Sequence, residues 1–116
     1  MALSAKDKKI RKEKKRLQAI FAGLEPNKLQ TCQTLIDRAA FMTINLQELE
    51  EELNANGWTE TYTNGRNQEG VKKSAACEAY NSLTKNLTTI MKQLLDLVPP
   101  AQKASRLAAM MGGDGK

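Results

Sequence analysis

Eight basic side chains stand in eleven residues: Lys6, Lys8, Lys9, Arg11, Lys12, Lys14, Lys15 and Arg16. Only Asp7 and Glu13 oppose them, a local net charge of +6. Lysines and arginines at that density grip phosphates and displace their counterions without reading base sequence. The remaining residues hold ten basic and eleven acidic groups, so the overall +5 resides in this one segment. No aromatic residue lies within 1–16, so the segment is not built to stack on bases. The eight side chains are therefore the candidate contacts to nucleic acid. The competing reading is a solvated, solubilising start to the chain.

Other chemistries are excluded by composition. The chain has no histidine, which removes Ser-His-Asp and Cys-His nucleophile systems and zinc sites that need imidazole. Its two cysteines, Cys32 and Cys77, cannot build a four-cysteine metal site or a disulfide framework. The acidic run Glu48, Glu50, Glu51, Glu52 sits on one helix, where the carboxylates diverge, so it reads as a solvated face and no metal site is expected. No catalytic residue, cofactor or metal is assigned. There is no run of about 18 apolar residues, so no membrane partner is expected. The charged start has no apolar stretch after it and does not read as a secretory signal. A small soluble protein inside the cell is the expectation.

The elements that must position the basic segment follow from periodicity and capping. Ser4 caps a first helix running to about Ala22, and Gly23 and Glu25-Pro26 end it. A second helix runs from Pro26 to about Asn56 and stops at Gly57. Its apolar seam, Leu35, Ala39, Met42, Leu46, Leu49 and Leu53, follows heptad spacing. Residues 58–73 change character, with alternating β-formers and an Asn64-Gly65 turn signal. A short extended loop pinned by Trp58 and Tyr62 is favoured over a paired hairpin. Ser74 caps a third helix, whose seam is Tyr80, Leu83, Leu87, Ile90, Leu94 and Leu97, and Pro99-Pro100 stops it. A short helix from Ala101 to Met111 and a glycine-rich tail close the chain.

The expected fold is all-α: a long antiparallel helical hairpin with a basic N-terminal helix and a short C-terminal helix. Residues 1–24 form the basic helix, 25–99 the oligomerisation core with its loop at 57–74, and 100–116 the last helix and tail. Leu46, Leu49, Leu53, Tyr80, Leu83, Leu87, Ile90 and Leu94 are the expected core and assembly residues. The apolar set exceeds one seam, which predicts self-association. In such a hairpin Cys77 lies beside the loop and Cys32 about 35 Å along the other arm, too far to bridge.

The order of features carries a resemblance. A long amphipathic helix ends in Gly57, and Tyr62-Thr63-Asn64-Gly65 follows, then Lys72-Lys73-Ser74. A helix opens with Ala75-Ala76-Cys77-Glu78-Ala79-Tyr80 and closes in Leu94-Leu95-Asp96-Leu97-Val98-Pro99. Over about residues 26–107 this resembles the compact small terminase subunits of tailed bacteriophages. The resemblance implies a non-enzymatic subunit in the host cytoplasm that forms a homo-oligomeric ring and holds double-stranded viral DNA. It implies a large terminase subunit as partner, which supplies ATP hydrolysis and cutting and which residues 100–116 would contact. The alternative is a structural or regulatory coiled-coil protein with no nucleic-acid role.

Overall fold

A computed structural model describes residues 3–65 and 68–112. Arg66-Asn67, at the tip expected from Asn64-Gly65, and the tail at 113–116 lie outside the described residues. Four α-helices and one pair of strands follow one another: α1 (Ala5–Ile20), α2 (Pro26–Asn56), β1 (Thr59–Thr63), β2 (Glu69–Lys73), α3 (Ala75–Asp96), and α4 (Lys103–Met111) after a 3-10 turn at Pro100–Gln102. The molecule is elongated, 63 × 38 × 28 Å.

Local chemistry sets the helix boundaries. The Ser4 Oγ accepts from the Asp7 amide at 3.0 Å, and the Ser74 Oγ accepts from the Cys77 amide at 3.0 Å. Each serine satisfies one of the donors that a helix start leaves without a partner. Pro26 occupies the first position of α2, where its missing N–H costs nothing. Gly57 ends α2 with φ +85°, and its amide donates to the Leu53 carbonyl.

α1 lies antiparallel against α2, and α3 packs on α2 from another side, so α2 is the shared spine. α4 folds back onto both α1 and α3. The fold is thus mostly helical, but it is not a simple two-helix hairpin with appendages. The main core gathers Leu17, Phe21 and Leu24 with Cys32, Ile36, Ala39, Ala40, Leu94, Val98 and Met110. A smaller cluster of Leu53, Ala76 and Cys77, with Leu49 and Tyr80 against it, closes the far end. The two cysteines are buried, unbridged and in different clusters.

The expected assembly residues divide. Leu46, Leu53 and Leu94 are buried, the last completely. Leu49, Tyr80, Leu83, Leu87 and Ile90 are only half-buried. The reason is that α3 packs mainly against α2 along most of its length, and one neighbour cannot cover an apolar arc that broad.

Residues 58–73 correct the expectation of an unpaired extended loop. β1 and β2 form an antiparallel ladder with Thr59 opposite Lys73 and Tyr62 opposite Gly70. The Asn64 amide donates to the Gln68 carbonyl at 2.8 Å and the Ser74 amide to the Trp58 carbonyl at 3.0 Å, extending the pairing at both ends. Gly70 has a steric reason: a Cβ there would lie 2.6 Å from the Tyr62 ring, which lies over it. At the root, the Trp58 and Tyr80 rings meet edge to face, centroids 5.7 Å apart. Trp58 does fasten this segment to α3, as its position suggested.

Candidate nucleic-acid interface

α1 presents its basic residues on two different sides. Ile10, Leu17 and Ile20 point into the core, half-buried or buried, and fix the rotation of the helix. At 3.6 residues per turn, Lys8, Arg11, Lys12 and Lys15 then fall on the opposite side, within an arc of about 100°. All four are exposed, as are Lys9 and Asp7, which flank the arc on its two sides. The stripe is about 10 Å long at 1.5 Å per residue.

The other three basic residues are engaged within the molecule. The Lys6 Nζ donates to the Asn45 Oδ1 at 2.8 Å and pairs with Glu48 at 3.0 Å. The Lys14 Nζ lies 3.6 Å from Asp37. Arg16 makes a two-pronged contact with Glu13, Nε and Nη2 each 2.8 Å from a carboxylate oxygen. That carboxylate raises the guanidinium above its already high ordinary value. Arg16 also donates from Nη1 to the carbonyls of Ala109 and Met110, at 3.3 and 3.4 Å.

These contacts sharpen the electrostatics of the exposed side. Glu13, one of the two acids in the segment, is turned inward and neutralised by Arg16. Asp7, exposed and one turn before Arg11, is then the acid that borders the solvent-facing stripe from Lys8 to Lys15. Counting charges along the sequence could not separate the two sides, because the division depends on how α1 is rotated against α2.

Cationic side chains from elsewhere hold the helix ends. α1, α3 and α4 carry no basic residue in their own last turns. Arg106 on α4 donates to the Ile20 and Ala22 carbonyls at the end of α1, at 2.6 and 3.1 Å. The Lys28 Nζ donates to the Leu97 carbonyl after α3 at 3.3 Å. Arg16 does the same for α4. Each places positive charge where the helix dipole is negative and carbonyls lack partners. No spacing in the sequence announces these contacts, since Arg16 and Arg106 reach residues more than eighty positions away.

Among the described residues, no group of three or more acidic or cysteine side chains converges as a metal site would require. The acidic run on α2 instead serves Lys6 through Glu48, and Tyr80 through Glu50, which accepts from the phenol at 3.0 Å. Among the described residues no helix is long and apolar enough to cross a membrane. No protein-family model matches the chain, and no curated protein and no solved structure matches it.

Proposed function

We propose that this chain is a non-catalytic DNA-holding subunit of a viral packaging terminase, acting as a homo-oligomer that recruits DNA to a large ATPase and nuclease partner. One observation carries the nucleic-acid part: Lys8, Arg11, Lys12 and Lys15 form an exposed basic stripe, bordered by the single acid Asp7, on a helix held against the spine. A stripe about 10 Å long matches about three phosphates of one strand at 3.4 Å each. Such contacts position a duplex without reading its sequence.

Self-association is supported by the half-buried apolar residues along α2 and α3. The terminase assignment and the ring are drawn from the resemblance in the order of features over residues 26–107. The large-subunit contact is assigned to α4, where Leu107 and Met111 stay exposed while Met110 packs into the core. The mechanism is recruitment: the stripe grips the DNA backbone and several copies together hold one duplex, which multiplies weak contacts into avidity.

The test is duplex binding by the intact chain and by a variant with Lys8, Arg11, Lys12 and Lys15 all replaced by Gln. The account predicts loss of most of the affinity with helicity unchanged. Equal binding by the two would refute it, and absence of binding by the intact chain would favour the structural coiled-coil alternative.

A further inference from the structure

The strand pair stands clear of the helical core. Every residue of β1 is exposed, and in β2 only Gly70 is half-buried, so neither face of the ribbon is covered. Two strands alone are marginal in water, and three or more are the usual minimum for a stable sheet. The hydrogen bonds show which backbone groups are already used. The Asn64 amide donates to Gln68 and the Ser74 amide to Trp58. Bonded and non-bonded pairs alternate along an antiparallel ladder, so Tyr62 with Gly70 and Glu60 with Lys72 are the bonded pairs between them. The N–H and C=O groups of Glu69, Val71 and Lys73 therefore point away from β1, along the free edge of β2.

The side chains of the same three residues say what pairs with that edge. They share one face, opposite Thr63, Thr61 and Thr59. Val71 is 69% exposed. Glu69 and Lys73, two residues either side of it, are exposed and have no ion-pair partner among the described residues. A second β2 running antiparallel about a two-fold axis at Val71 brings Glu69 onto Lys73 of the second copy, twice. It also lets the two Val71 residues exchange both backbone bonds. Moving the axis to Lys72 would oppose Lys72 to itself, and a parallel copy in register would set Glu69 on Glu69 and Lys73 on Lys73. Lysines on an edge strand commonly block pairing. Here Lys72 is turned to the other face, toward Glu60 and the Tyr62 ring, and Lys73 finds its counter-charge in the second copy.

We propose that the free edge of β2 pairs with β2 of a second copy of this chain, making a four-stranded antiparallel sheet with its two-fold axis at Val71. One face of that sheet carries an uncharged central row of β-branched residues, Thr61 and Val71 from each copy, with ion pairs beside it. The inference rests on the homo-oligomer reading and goes past it by naming the edge and its register. A two-fold contact closes at two copies, so a ring needs a further head-to-tail contact elsewhere on the surface.

The experiment combines disulfide trapping with sedimentation equilibrium on the full chain. Under copper-catalysed air oxidation Val71→Cys should form a covalent dimer, since its two copies face each other across the axis. Thr61→Cys should not, because its copies lie three strand spacings apart, about 14 Å, beyond disulfide reach. The native Cys32 and Cys77 are buried and stay out of the reaction. In sedimentation, Glu69→Lys or Lys73→Glu alone replaces two attractive pairs by two like-charge pairs, and the dimer Kd should rise by about tenfold. The double swap should return to within about threefold of the parent. All four positions are exposed, so helical circular dichroism should be unchanged throughout. An associating parent whose Val71→Cys variant does not cross-link, cross-linking through Thr61→Cys in its place, or a swap as weak as its components would overturn the edge assignment alone. A parent monomeric at about 100 µM would overturn the homo-oligomer reading with it.

Discussion

Arg16 and Arg106 each cap the helix that carries the other. Arg16, on α1, donates to the carbonyls of Ala109 and Met110 at the end of α4; Arg106, on α4, donates to those of Ile20 and Ala22 at the end of α1. The exchange joins the two ends of the chain. It ties the rotation of α1, and with it the direction of the basic stripe, to the docking of α4. Buried contacts run the same way, since Met110 sits in the core with Leu17 and Phe21.

Arg106→Ala should therefore destabilise the fold by about 1.5–3 kcal/mol, the usual worth of hydrogen bonds from a charged donor. At about 4 °C per kcal/mol for a chain of this size, the midpoint of thermal unfolding should fall by roughly 6–12 °C. Arg106→Lys should restore only part of it, because an ammonium lacks the planar fork that reaches the Gln102 side chain and two carbonyls at once. An unchanged midpoint for Arg106→Ala would show that the exchange contributes nothing.

The two kinds of apolar position should respond differently to truncation. Leu94→Ala empties a site with no solvent exposure and should cost about 2–5 kcal/mol in chemical denaturation. Leu83→Ala, at a half-buried site, should cost clearly less in the isolated chain. Equal losses would mean that Leu83 is as enclosed as Leu94.

Alkaline pH should weaken the fold. Burial pushes the Cys32 thiol above its ordinary value, and donation to the Glu50 carboxylate does the same to the Tyr80 phenol. Both groups hold their protons more tightly when folded, so the stability they lend is present below their unfolded pKa values. It is lost as pH rises from about 9 through the folded values. Denaturation series between pH 8 and 11 should show a falling midpoint. In Cys32→Ala the fall should be shallower, and a steeper fall would contradict the sign of the thiol's shift.

Gly70→Ala should act locally. The new methyl group would strike the Tyr62 ring, which is exposed and free to swing away. The helical core should keep its thermal midpoint within a few degrees, while the NMR signals of Tyr62 and of Lys72, whose Nζ lies 5.8 Å from that ring, should shift. Unmoved signals would show that the ring does not rest on Gly70.

Much of the helical frame was legible because its signals are local. Ser4 and Ser74 announce their helices by a side chain that reaches an amide three residues on. Pro26 and Gly57 bracket α2 through backbone preference alone. The strand pair was harder to see. β1 alternates, but β2 is Glu69-Gly70-Val71-Lys72-Lys73, a weak strand former that relies on Tyr62 covering its glycine. The extent of the basic interface was legible only in part. Eight residues in a row of turns gave the charge, but docking against α2 and α4 takes Lys6, Lys14 and Arg16 for internal contacts. Long-range cation caps leave no periodic trace in a sequence, which is why Arg106 escaped notice.

The salt dependence of duplex binding tests the central claim most directly. Affinity for a 30-base-pair duplex would be followed from about 50 to 300 mM salt for the intact chain and for the Lys8, Arg11, Lys12, Lys15→Gln variant. Each phosphate neutralised contributes about 0.9 to the slope of log K against log salt, and about three per protomer are assigned to the stripe. The account predicts a slope shallower by about 2–3 for each engaged protomer in the variant, with weaker binding throughout. Identical slopes and affinities for the two proteins would contradict it.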